Sequence, residues 1–137
     1  MDLFSKPPEL QGEGYRNYLC SLTELESSYI RCRSLNVPIE LTKPQEFLLE
    51  VALTPLLIIN ALFLAVTEKV IAPICCDCLQ KNYRYILCDP DLVALKIFAA
   101  PEALTAAEEN GIKIGTVFTE ESCGTNAMAL ARFNNIT

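Results

Sequence analysis

Residues 115–131 constrain the fold of this chain more than any other stretch, because glycines, paired acids and an alanine-rich run follow one another in a fixed order. The two glycines permit tight turns, and the adjacent carboxylates of Glu120 and Glu121 suit the positive end of a helix dipole. Thr119 or Thr125 is placed to cap a helix that continues through the alanines. The stretch therefore predicts a turn that leads into a helix.

Two motifs carry a resemblance to a known family. The order Phe-Thr-Glu-Glu-x-x-Gly-Thr-Asn-Ala, which begins at Phe118, resembles a signature in the sensory GAF domain of sigma-54-dependent transcriptional activators of the acetoin and glycerol catabolism kind. Further upstream, Ser28, Arg31 and Cys32 match the Ser-Trp-x-Arg-Cys stretch of the same activators, with Tyr29 in the place of Trp. An ordinary helix start on another fold and a generic surface helix are the alternative interpretations.

The resemblance covers about residues 15–131 and implies an α+β fold, with N-terminal helices followed by a partial GAF-like domain that has an antiparallel β-hairpin and covering helices. It divides the chain into residues 1–41, a loose segment and a helix, and residues 42–137, the sensory domain. Family members continue with further GAF strands, an ATPase and a helix-turn-helix, so we expect a truncated product or an N-terminal fragment. The open edge of such a sheet favours pairing with a second chain.

Composition narrows the function. The chain has no His, which removes His general bases, His-activated nucleophiles and His-ligated metals. It contains neither a phosphate-binding loop nor a dinucleotide fingerprint. Its net charge is −6 and its 11 Lys and Arg residues are scattered, which argues against direct nucleic-acid binding. We therefore expect a protein that is not an enzyme and has no cofactor.

Local patterns predict several helices. Apolar spacing predicts one over residues 16–35, and Thr42 with Gln45 forms a capping-box pattern that predicts another start. The apolar run 51–66 is interrupted by polar residues and by Pro55, so it predicts a kinked, buried or dimerising helix and not a membrane span.

A β-hairpin is predicted over residues 83–98. Two runs, 83–88 and 92–98, are rich in aromatic and β-branched residues and are separated by Asp-Pro-Asp. The activators join their first two GAF strands by an Asp-x-x-Gly turn. Asp89 matches, whereas Leu92 stands in the glycine position, which predicts a different turn type. A short helix over residues 101–110, ended by a glycine, follows.

In the GAF-like reading, the ligand cavity lies between the sheet and its covering helices. The candidate ligand-binding residues are Tyr85, Leu87, Phe98, Phe118, Thr125 and Asn126. A plain core role is the favoured alternative for the strand residues, and helix capping is the favoured alternative for Thr125 and Asn126. No catalytic or metal-ligating residue is predicted, because Cys75, Cys76 and Cys78 lack the usual spacing of zinc ligands.

The function expected from the resemblance is that of a regulatory sensory module of a sigma-54-dependent activator. It would act in the cytoplasm as a homodimer, bind a small effector and control an ATPase and DNA-binding output that this chain lacks. Seven Cys residues without a signal peptide agree with a reducing compartment. The alternatives are an interaction module dimerised through residues 42–78 and, third, a thiol or metal sensor.

Overall fold

A computed structural model describes residues 21–75 and 83–133 of the chain, apart from the side chain of residue 75. The fold class is α+β, as predicted, whereas the likeness to a GAF domain stays a prediction. The elements occur in the order α1 Leu22–Ser34, α2 Glu50–Ile59, α3 Ala61–Cys75, β1 Arg84–Cys88, β2 Ala94–Ala99, α4 Pro101–Glu109, α5 Glu120–Cys123 and α6 Ala127–Phe133.

Hydrogen bonds between residues close in sequence stabilise both ends of helix α1. Ser21 and Glu24 form a capping box, in which each side chain accepts the backbone N–H of the other, at 3.2 and 2.6 Å. At the other end Asn36 takes a left-handed φ of 56°, and the N–H of Val37 returns to the carbonyl of Cys32 at 3.0 Å. The predicted helix is thus confirmed from residue 22, and residues 16–20 lie outside the described ranges.

The helix predicted to begin at Thr42 is wrong, because residues 42–49 are not helical. This segment pairs instead with the stretch that precedes α5. The N–H of Leu48 donates to Gly115 O at 2.8 Å, and the N–H of Val117 donates to Glu46 O at 3.1 Å. Backbone hydrogen bonds to a distant part of the chain therefore override the local capping signal.

The apolar run folds into α2 and α3, whose axes bend by 77° at Asn60. Pro55 lies inside α2, so the kink expected there occurs five residues later. Of the two roles predicted for the run, burial is wrong, since Val51 is 88% and Leu62 is 80% exposed, and dimerisation stays a prediction. Within the two described ranges no single helix is long and apolar enough to cross a membrane, although the bent pair together meets the criteria of length and composition.

The predicted hairpin is confirmed. Strands β1 and β2 pair antiparallel from Arg84 with Ala99 to Cys88 with Ala94, with an irregularity before Cys88. In the turn, Asp89 Oδ1 accepts the backbone N–H groups of residues 91 and 93 at 3.0 and 2.9 Å.

Leu92 adopts a left-handed backbone conformation in this turn. Its φ is 63°, in the left-handed region that favours glycine and costs another residue about 1–2 kcal/mol. The side chain is only 8% exposed and belongs to the hydrophobic core. Burial of a leucine is worth about 1.5–3 kcal/mol, which offsets the backbone cost. A leucine is therefore compatible with the left-handed backbone of this turn, and the predicted difference in turn type from the activators stays a prediction.

The core lies where the hairpin meets the segment before α5 and helix α6. Leu92, Ala94, Phe118 and Ala129 form its buried cluster. Helices α3 and α4 pack on β2, and α1 packs on α5 and α6. Helix α4 ends at Glu109 with Asn110 as its C-cap, and the glycine predicted to end it, Gly111, follows with a left-handed φ of 75°. The packing of α1 brings the upstream motif against the downstream one.

Candidate functional site

The two motifs that carry the family resemblance meet in the fold, although 92 residues separate Ser28 from Glu120. Ser28 donates its hydroxyl hydrogen to Glu120 Oε1 at 2.6 Å. Arg31 donates from Nε to Oε2 at 2.8 Å and from Nη2 to Oε1 at 2.7 Å, which makes a bidentate pair. Helix α1 is therefore fastened to the first residue of α5 by three hydrogen bonds to one carboxylate.

Glu120 is ionised although it is buried. Its side chain is 3% exposed, and burial by itself raises the pKa of a carboxyl group. The hydrogen bonds from Arg31 and Ser28, together with the positive charge of Arg31, outweigh burial, so the pKa of Glu120 is lowered. Arg31 is held from its other side by Phe133, whose ring centroid lies 4.0 Å from its guanidinium carbon.

Sequence reasoning missed this ion pair. The sequence pattern predicts that Glu120 and Glu121 both complement a helix dipole, a role that suits only the exposed Glu121. One sequence feature could have predicted the pair: Arg31 lies in one of the two motifs that resemble those of the activators, and Glu120 lies in the other. A charged residue inside each of two matched motifs is a reason to test them as partners.

Thr125 extends the network to a surface groove. Its Oγ1 lies 2.9 Å from Ser28 Oγ and 3.5 Å from Cys32 Sγ. Thr125 and Cys32 also line a groove of about 600 Å³ between α1, the segment 36–41 and the turn at Gly124. This volume is in the range of small-molecule sites. The apolar lining residues of the groove include Val37, Pro38, Ile39 and Leu41.

Asn126 caps α6 with its side chain, so Thr125 is not the N-cap of that helix, whereas Thr119 holds the predicted N-cap position at the start of α5, without a side-chain capping hydrogen bond. The Oδ1 atom of Asn126 accepts the N–H groups of residues 128 and 129 at 3.1 and 3.0 Å. Its Nδ2 donates to Phe118 O at 3.0 Å and Gly124 O at 2.9 Å. The side-chain amide of Asn126 therefore uses its oxygen and its nitrogen in hydrogen bonds that stabilise the turn.

The other predicted ligand-binding residues lie apart from the groove. Phe98 and Phe118 are 7% and 5% exposed, and Phe118 is part of the core cluster. Tyr85 is the cross-strand partner of Phe98, and Leu87 is half-buried on the same strand. Of the six, Thr125 alone lines the groove. The ligand-binding role of the set stays a prediction.

The described thiols are placed as core residues. Burial, with smaller contributions from Asp89 and Cys123, raises the pKa of Cys88 to about 11. Burial also raises the pKa of Cys123. Within residues 21–75 and 83–133 no three His, Cys, Asp or Glu side chains are grouped to hold a metal ion. Cys76 and Cys78 lie outside those ranges, so the alternative of a thiol or metal sensor stays untested.

The hydrogen-bond network around Glu120 connects α1 to α5 and, through Thr125, extends to the lining of the groove. Ser28 is fully buried, and Glu120 is committed to Arg31, so neither is presented to a substrate as a nucleophile or base. Comparisons of the chain with protein-family models, with curated proteins and with solved structures find no match. Function is therefore inferred from the site and from the resemblance of its motifs.

Proposed function

We propose that this chain is a regulatory sensory module of a sigma-54-dependent transcriptional activator, which binds a small effector and thereby controls an ATPase and DNA-binding output. One observation carries the proposal: the residues that match the activators' two motifs are mutual partners. Ser28 and Arg31 hydrogen-bond to Glu120, and Thr125 joins them. Two chance matches would have no reason to meet in one hydrogen-bonded network.

The site offers a route from ligand to conformation. Helix α1 buries only Ser28 and Cys32, so its docking depends on the polar network more than on apolar packing. A ligand in the groove touches Thr125, which is bonded to that network. If the ligand binds the docked arrangement of α1 more tightly than the undocked one, it shifts the population toward docking. That shift is the signal that we propose reaches the output.

A thermal-shift screen against small alcohols, aldehydes and carboxylic acids tests the proposal. A ligand that binds only the folded state raises the unfolding midpoint, by about 2.7 kcal/mol of stability at a hundredfold excess over Kd. The Glu120→Gln variant, in which α1 docking is weakened, should lose part of the response. The absence of any stabilising compound at millimolar concentration would refute effector binding.

A second candidate is an interaction module without a ligand, and it is favoured by the exposed face of α2 and α3. Val51, Ile59, Leu62 and Val66 are 88%, 79%, 80% and 55% exposed. Large apolar side chains that are exposed together on two consecutive helices favour a contact with another protein. Sedimentation of the wild type and of Leu62→Asp distinguishes the candidates: a dimer that the variant abolishes, without ligand binding, supports the interaction role.

A further inference from the structure

Helices α2 and α3 carry apolar side chains that the rest of the described chain leaves exposed. No residue of α2 is buried. Along α3, the exposed side chains Leu62, Val66 and Val70 recur every four residues, so they lie on one side of the helix. On its other side Leu64 and Ile71 are half-buried, and α3 packs on β2. A helix that is apolar all round is ordinarily covered by a protein core or by lipid.

The exposed run has the polarity of a segment that contacts hydrocarbon. Residues 51–67 include no charged side chain. The three polar side chains in the run are Thr54, Asn60 and Thr67, and each donates to the backbone carbonyl four residues earlier, at 2.9, 2.8 and 2.8 Å. In lipid, polar groups are satisfied within their own segment, whereas the rim of a protein interface is polar. The run therefore matches lipid better than the surface of a second protein.

Charged residues mark where the uncharged run ends. Glu50 begins α2, and Glu68 and Lys69 follow the run in α3. Glu68 Oε1 also lies 3.9 Å from Lys96 Nζ on β2. Since charged side chains are costly inside a bilayer, both ends of the run and the hairpin stay in water.

The dimensions of the run exclude a crossing. The uncharged parts of the two helices, 51–59 and 61–67, are about 14 and about 11 Å long at the helical rise per residue. Their axes bend by 77° at Asn60. The hydrocarbon core of a bilayer is about 30 Å thick, so the bent run reaches into one leaflet and returns to the same side.

We propose that α2 and α3 form a membrane anchor, which inserts residues 51–67 into one leaflet of a bilayer. The inference goes beyond the sensory function and does not rest on it. Neutral headgroups fit best, because the chain has a net charge of −6 and Lys69 is the only basic residue in the segment 50–69. Binding therefore depends on apolar area, without the electrostatic attraction to anionic lipids that basic amphipathic helices add.

Cosedimentation of the whole chain with lipid vesicles tests the proposal. The wild type should bind vesicles of phosphatidylcholine at millimolar lipid. About 0.5 M NaCl should change this binding by less than about twofold, because salt screens charges and not apolar insertion. Replacement of about a third of the lipid by anionic phosphatidylglycerol should not strengthen it. The absence of binding to phosphatidylcholine, or binding that requires the anionic lipid, overturns the proposal.

Charged substitutions locate the contact. Leu62→Asp should weaken vesicle binding by at least about tenfold, because a leucine is withdrawn from hydrocarbon and a charge is added. Ile30→Asp is the matched control, since Ile30 is also an exposed apolar residue but lies on α1, and it should bind like the wild type. If Leu62→Asp does not fold, Val51→Asp on α2 repeats the test. Equal losses at α1 and at α2 or α3 would contradict the assignment.

A fluorescent reporter separates insertion into lipid from contact between two copies. The chain has no tryptophan, so Phe63→Trp adds a single one in α3, and Ile30→Trp adds one on α1. Vesicles with brominated acyl chains should quench the first and leave the second unchanged. A lipid-free dimer that Leu62→Asp abolishes, with Phe63→Trp unquenched by the vesicles, would assign the surface to a second copy and refute insertion. Neither result changes the effector screen, which tests the sensory function separately.

Discussion

Removal of the charge on Glu120 is the most direct test of how α1 is held. Glu120→Gln keeps the size of the side chain and one carbonyl oxygen, but it replaces a carboxylate that accepts three hydrogen bonds. Glu121→Gln is the matched control, because the neighbouring carboxylate is exposed. Both variants remove one negative charge from a chain of net charge −6, so a difference between them cannot come from overall charge.

The expected loss follows from burial. Breaking a buried ion pair by removing one partner costs about 3–5 kcal/mol, because the other charge is left uncompensated. Here Glu120 is 3% exposed but Arg31 is 33% exposed, so water can hydrate the freed guanidinium. The contact of Arg31 with Phe133 also persists. We therefore expect the free energy of unfolding to fall by about 2–3 kcal/mol for Glu120→Gln and by less than about 0.5 kcal/mol for Glu121→Gln.

Urea unfolding followed by circular dichroism measures both variants. A change in the midpoint at constant slope reports stability, whereas a changed slope reports a different folded or unfolded ensemble. In thermal unfolding the same loss corresponds to about 6–12 °C, at roughly 3–4 °C per kcal/mol for a chain of this size. If Glu120→Gln is as stable as Glu121→Gln, the network does not hold α1 and the proposed signal route is lost.

The pH dependence provides a second check with a defined sign. Because the pKa of Glu120 is lower in the folded protein, its contribution to stability is complete above the unfolded pKa of about 4.3 and is lost as the pH falls through the folded pKa. The stability difference between wild type and Glu120→Gln should therefore be constant near neutral pH and shrink in acid. A difference that grows in acid would contradict the ionised state of Glu120 in the folded protein.

Three further predictions address the turn, the thiols and the groove. Asp89→Ala should lower the free energy of unfolding, measured in urea, by about 1–2 kcal/mol, because two backbone N–H groups lose their acceptor. Its control, Asp91→Ala, changes an 84% exposed side chain and should cost less than about 0.5 kcal/mol. Equal losses for the two variants would contradict the role of Asp89 in the turn. With its pKa near 11, Cys88 should react with iodoacetamide at pH 8 about 100-fold more slowly in the native protein than in urea, by peptide mass spectrometry; native labelling at the unfolded rate would refute its burial. Gly124→Ala should lower the free energy of unfolding by about 1–3 kcal/mol, because alanine is strained at a φ of 69° and a ψ of −163°. The loss would come from the backbone and not from a clash, since the added Cβ meets only Val37, at an ordinary 3.7 Å. Unchanged stability would show that the turn adopts another conformation.

The features that the sequence predicted correctly depend on bonds between near neighbours. Asp89 satisfies N–H groups two and four residues further along, and the end of α1 at Asn36 closes on carbonyls of its own last turn. The end of α4, before Gly111, also closes through hydrogen bonds to carbonyls of its own last turn. Such bonds need only the local residue types and their spacing, so a pattern in the sequence is sufficient to predict them.

The remaining features were decided by partners far away in the chain. Residues 42–49 are not helical because they exchange backbone hydrogen bonds with residues 115–117, although their own pattern favours a helix. Leu92 accepts a left-handed backbone because the core buries its side chain. Glu120 becomes a buried anion because α1 delivers Arg31 to it across 89 residues. In each of these three cases a local conformational or desolvation cost is offset by a contact with a residue far away in the sequence. Only the tertiary structure shows that contact, so the sequence alone could not predict the outcome.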